Sequence, residues 1–299
     1  MRGRSLLLLF VPCTLSAQYS RQRVSLVRQG EAALQRQEIT TAVAAFGEAA
    51  RDSVPARRAA AERMLGVIAW RFYKQNGEAR AHFGNALAIQ ADTPATLIEL
   101  ARLATSEGRY RQAFELADRA RRSSTDDIDV RGAILQLGHA VTEAALAARL
   151  DGDDATDAIL PDTAAAAAVR VLRWLVRQTP GRVSEAHQLL LASLVAGDGA
   201  AAIEGLDSYY LIDAGGASMH STIPTALAQL RPMLTAWRAD QATRAERERL
   251  AVALGRARFY DAAALVAPAG AEILEYAKYC RHLAREANEY YRRTLVATE

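Results

Sequence analysis

The residues of this chain that could do chemistry are five histidines, two cysteines and a run of aspartates, and their spacing argues against most of it. Among His82, His139, His187, His220 and His282 no two stand at a metal-ligand spacing, and no HExxH occurs. Each reads as a surface or packing residue. His220 is the best exception, because it lies in a Gly/Ser-rich loop between Ser218 and Ser221. A Ser–His pair there needs an orienting acid and an oxyanion site, and the sequence shows neither. Asp151, Asp153, Asp154, Asp157 and Asp162 invite a calcium reading, but Ala155 falls where the third EF-hand ligand belongs and Thr156 where the glycine belongs. They read as a solvated loop with helix-capping aspartates. There is no phosphate-cradling glycine loop, nucleophile elbow or CxxC. Cys280 falls on an apolar helical stripe and reads as a buried thiol. No catalytic residue, metal site or cofactor follows from the sequence.

The elements that would position a binding surface are clearer. Ala42, Phe46 and Ala49 recur as Ala79, Phe83 and Ala86, and again as Ala113, Ala117 and Ala120. Steps of four and three put each triplet on one helix face, and the triplets recur 37 and then 34 residues apart. A period of that size means stacked helix pairs. Turns are expected near Arg36-Gln37-Glu38, at Asn76-Gly77 and at Gly108-Arg109-Tyr110. Beyond residue 125 the pattern weakens. One long helix is expected over Val130–Leu150 and a partner over Thr163–Gln178. A hairpin is expected about Gly197-Asp198-Gly199, and a helix over Pro224–Trp237 that Pro232 should kink or restart. Leu250-Ala251, Leu254, Phe259-Tyr260 and Ala263 return to the repeat pattern, and a long helix over Ala271–Leu295 should cap the end.

Composition agrees with an all-α chain. Of the 299 residues 51% are apolar and 24% charged, with only 8 prolines, which favours packed helix over disorder. Residues 1–17 read as a secretory signal: Arg2 and Arg4, an apolar stretch over 5–15, then Ser16-Ala17 before a cut at Gln18. Cleavage removes Cys13 and leaves Cys280 without an intramolecular disulfide partner. No later segment reads as a membrane span. The formal charge of +3 falls to about +1 without Arg2 and Arg4, so a nucleic-acid partner is not expected. Nearly all the positive charge is arginine, the better bidentate binder of carboxylates.

Leu100-Ala101, Gly108 with Tyr110, and Ala113 with Ala117 and Ala120 resemble the tetratricopeptide repeat family, as do Leu65-Gly66 with Ala79, Phe83 and Ala86. Ala117 stands where the family has an aromatic residue, and the second hairpin carries one extra residue between its helices. The resemblance implies an all-α, TPR-like solenoid of helical hairpins with a long C-terminal capping helix. Its parts are a signal peptide at 1–17, repeats over 18–125, degenerate hairpins over 126–268 and the cap over 269–299. It also implies an inner groove lined by the first helix of each hairpin. The groove positions fall on Val27 and Glu31, on Arg63, Trp70 and Arg71, and on Arg102 with Ser106. The arginines and the tryptophan suit an extended acidic peptide or a C-terminal carboxylate, although Val27 and Glu31 depart from the family's carboxylate-binding pattern.

The expectation is therefore a scaffold, exported to the periplasm or envelope of a bacterium, that binds a protein or peptide partner without turnover. Two other readings stay open. One is an enzyme whose helical toroid encloses a pocket near His220, Tyr209 and Tyr210. The other is a subunit that oligomerises through Tyr276, Tyr279, Tyr290 and Tyr291.

Overall fold

The computed structural model describes residues 26–150, 160–161, 163–210, 223–276 and 279. Among them every regular element is an α-helix and no strand occurs. The signal segment, most of the acidic loop, the loop with His220 and the final helix from Cys280 onward lie outside the described residues. The chain divides into two compact units at Ala91 and Asp92.

The first unit holds α1 (residues 26–35), α2 (Ile39–Ala49), α3 (Pro55–Arg71) and α4 (Asn76–Ile89). The second holds α5 (Pro94–Ser106), α6 (Tyr110–Ser123), α7 (Asp127–Leu150), α8 (Thr163–Gln178), α9 (Val183–Ala196), α10 (Gly199–Tyr210), α11 (Ile223–Ala236), α12 (Arg244–Arg256), α13 (Tyr260–Val266) and the start of α14 (residues 272–276). Pro55 and Pro94 open α3 and α5 at positions where a missing N–H costs nothing. Thr243 opens α12 with a capping box: it donates its N–H to the Glu246 carboxylate at 2.8 Å and accepts from the Glu246 N–H at 3.3 Å.

One local device recurs. Gln37, Gly108, Gly197 and Arg258 take the left-handed conformation, at φ 66°, 76°, 71° and 67°. The residue after each donates its N–H to the carbonyl five residues back, Glu38 to Ala33, Arg109 to Ala104, Asp198 to Ser193 and Phe259 to Leu254, each at 2.9 Å. This is a Schellman closure of one helix, and the next helix starts two residues after the left-handed one. In the second hairpin Lys74 takes φ 57° and Gln75 reaches back six residues to Ala69, which is how the extra residue is absorbed. The turn expected at Asn76-Gly77 therefore lies earlier, over 72–75. Asn76 and Gly77 are already the first residues of α4, because the left-handed residue and not the Asn-Gly pair reverses the chain.

All nine residues of the three repeated triplets are 0% exposed. The small size of the seven alanines among them sets how closely the helices approach. A Cβ built on Gly30 would stand 2.7 Å from the Phe46 ring, and one on Gly66 equally close to Phe83. The third hairpin instead packs Ala101 and Ala117 against Leu137 of α7.

In the second unit α7 packs against α5, α6, α8 and α9. Pro232 lies inside α11 without ending it, so of the expected kink or fresh start the fresh start does not occur. The helix α13 packs on both α9 and α7, and every residue from Ala262 to Ala267 is buried. It shares a core with Leu146 and Leu150 of α7 and with Leu190, Leu191 and Leu194 of α9. Arg149 of α7 donates to the Ala267 carbonyl.

Candidate partner-binding surface

On α3, Arg63, Trp70 and Arg71 are all half-buried. Arg63 and Trp70 are two helical turns apart and share a stripe with Val67. The Arg71 guanidinium carbon lies 5.3 Å from the Trp70 ring centroid, a cation–π distance. The indole is thus held by a cation while a minor part of its surface stays open to solvent. On the same hairpin the Glu62 carboxylate meets His82 Nδ1 at 2.8 Å and accepts from Asn85 at 3.4 Å, which ties α3 to α4. In α1, Val27 packs on the hairpin core with Met64 and Phe72, whereas Glu31 is exposed.

Arg102 and Ser106 belong to the second unit, one helical turn apart on α5. Both are partly engaged. Arg102 Nη1 donates to Glu99 Oε1 at 2.6 Å, and the Ser106 hydroxyl donates to the Leu103 carbonyl at 2.7 Å. The structure thus brings together Trp70 and Arg71 with Arg63 on one helix, and Arg102 with Ser106 on another.

Tyr209 and Tyr210, expected beside a pocket, pack in an aromatic cluster with His187 and Phe259. Ring centroids lie 5.0 Å apart for Tyr209–Phe259, 5.4 Å for Tyr209–Tyr210 and 6.2 Å for His187 with either Tyr209 or Phe259. Burial lowers the His187 pKa, and the nearby Asp261 carboxylate opposes that shift. The sequence reads His187 as a surface or packing residue, and the structure places it in the aromatic cluster. Its partners lie 22 and 72 positions away, so no local signal could have gathered them.

Other polar clusters are structural. Glu185 on α9 is 0% exposed, faces Arg131 of α7 as an ion pair and accepts from the Ser184 hydroxyl. Burial pushes its pKa up, and bonds from Ser184 and Arg131 outweigh that, so the net shift is down. On α8, Arg173 Nε donates to Glu204 of α10 at 2.9 Å and Arg177 reaches the same carboxylate at 3.1 Å, while Trp174 between them is 51% exposed. The Arg173 bond comes first in holding the Glu204 carboxyl below its ordinary pKa. Among the described residues no three His, Cys, Asp or Glu gather as metal ligands, and no helix is long and apolar enough to cross a membrane. Sequence reasoning also missed a trench between α11 and α12, floored by Met233, Trp237 and Leu250.

The chain matches no protein-family model and no curated protein.

Proposed function

We propose that this chain is an exported scaffold of a bacterial envelope, similar to tetratricopeptide repeat proteins, that binds a protein or peptide partner without chemical turnover. The observation that carries the reading is the α3 surface, where a half-buried tryptophan is flanked by Arg71 at 5.3 Å and by Arg63 two turns earlier. An aromatic anchor beside arginine is the composition that dominates protein interfaces, and arginine adds bidentate recognition of carboxylates. Packed helical hairpins supply a frame for such a surface.

The test places a photo-crosslinking amino acid at Trp70 in cells. A discrete crosslinked partner that disappears in an Arg63→Glu/Arg71→Glu variant supports the reading. A crosslinking pattern unchanged by that variant overturns it. Export is tested separately by N-terminal sequencing of the protein from the periplasmic fraction, which should begin at Gln18.

A second reading has an observation of its own. Tyr260, Tyr276 and Tyr279 are 40%, 47% and 59% exposed, and Tyr260 and Tyr276 stack edge-on with centroids 5.5 Å apart. A tyrosine-rich surface of this kind suits self-association. Light scattering of wild type and a Tyr276→Ser/Tyr279→Ser variant decides it: equal masses reject oligomerisation through these tyrosines.

A further inference from the structure

We propose that the trench between α11 and α12 is a second binding site, and that its ligand is a short acidic peptide seated by an apolar side chain. The site lies within the second unit and does not depend on the α3 surface. Two recesses of about 460 and 380 Å³ share Met233 and Arg249, so they run end to end. From Glu246 to Arg256, α12 supplies a wall about 15 Å long at 1.5 Å per residue, the reach of four or five extended residues. The floor is apolar: Met233 and Trp237 from α11 and its end, Leu250 and Val252 from α12, with Val252 48% exposed. Trp237 is pinned there, its Nε1 donating to the Leu194 carbonyl at 3.1 Å, so the floor is formed before anything binds.

The rim sets the charge of the ligand. Arg249, common to both recesses, is exposed; it donates to the Ala245 carbonyl of its own helix over 3.3 Å and lies within electrostatic reach of Glu246. Arg256 stands two turns further along the same wall, and Arg238 lines the other end. Two acids share the rim: Glu246 is occupied by the Thr243 N–H and hydroxyl at 2.8 and 2.7 Å, and Glu248 is exposed beside the second recess, so the three arginines outnumber the carboxylates by one. The exposed carboxamides of Gln241 and Gln229 face the two recesses and can pair with a peptide backbone. An open trench with charge and amide groups along its whole length fits a chain of alternating side chains. A fatty acid would need one cationic end and an enclosed apolar tunnel.

The experiment selects displayed random hexapeptides on the full chain, on Arg249→Glu and on Val252→Asp. Both substitutions are at exposed positions, and circular dichroism melts confirm that the variants remain folded. Wild type should enrich peptides carrying Asp or Glu beside Leu, Met or Phe. Either variant should bind the winners about tenfold more weakly. Equal recovery on all three proteins, winners without acidic residues, or no enrichment overturns the proposal. So does dodecanoate that displaces the winning peptide from wild type and from Arg249→Glu equally, because the peptide then makes no use of the arginine.

Discussion

The ring of Phe83 occupies the space that a side chain on Gly66 would need: a Cβ there would lie 2.7 Å from a ring carbon. The glycine and the ring are one packing unit across the hairpin, and Gly30 with Phe46 repeats it. Ala101 with Ala117 fills the same role with two methyl groups, both fully buried.

Gly66→Ala should therefore destabilise the chain by about 1–3 kcal/mol of overpacking, less the roughly 1 kcal/mol that alanine gains as a helix former. Gly84 is the control. It is exposed within α4, with nothing within 4 Å of its Cβ position, and Gly84→Ala should gain about 0.5–1 kcal/mol. Urea denaturation reads both. Equal changes of one sign would show that the Gly66–Phe83 contact is not tight.

Gln37 and Arg258 hold left-handed turns at φ 66° and 67° without being glycine. An L side chain there costs about 1–2 kcal/mol. Gln37→Gly and Arg258→Gly should each raise stability by about 1 kcal/mol, because glycine relieves that strain but is freer in the unfolded chain. Gly108→Ala, at φ 76°, should lower it by a similar amount. Thermal melts that rank these three in any other order would contradict the turn geometry.

Arg131→Leu leaves the Glu185 carboxylate buried without its cation. Losing one partner of a buried pair costs about 3–5 kcal/mol, and the 32% exposure of the Arg131 side chain reduces that to about 2 kcal/mol here. Adding Glu185→Leu should restore most of the loss. A double-mutant cycle without coupling would place the two residues out of electrostatic reach of each other.

His187 ties stability to pH. Its folded pKa lies below the ordinary value of 6.5, chiefly through burial. Above about pH 6.5 the ring is neutral in both the folded and unfolded chain, and nothing changes. Below that, the unfolded chain takes up a proton that the folded chain resists, so stability falls as pH drops from about 6.5 toward the folded pKa. Melting temperatures of wild type should decline over pH 6.5 to 5.5 more steeply than those of His187→Gln. Parallel profiles would mean that the ring titrates freely.

Much of the fold was legible because its signals are local. Nine small or aromatic residues at fixed steps gave three hairpins, and Gly108 and Gly197 marked two turns. The turn expected at Asn76-Gly77 lies earlier because Lys74 is a poor left-handed residue by type, and only the backbone shows it serving as one. The Thr243–Glu246 cap follows a local S/T-x-x-E pattern that the sequence itself carries. The aromatic cluster and the α11–α12 trench could not be read. His187 meets Phe259 and Trp237 meets Leu194 only because α13 and the end of α11 return to α9, and nothing in the local pattern encodes that return.

The return of α13 to α7 also dictates an order of assembly. The carbonyl that receives Arg149 belongs to a residue 118 positions later. A chain emerging from its N-terminus can complete α2 through α6 as each pair arrives, but the distal end of α7, with Leu146 and Leu150, is covered first by α9 and fully only once Ala267 is made. Chains broken off before that point leave this greasy, half-covered stretch open to proteases and aggregation.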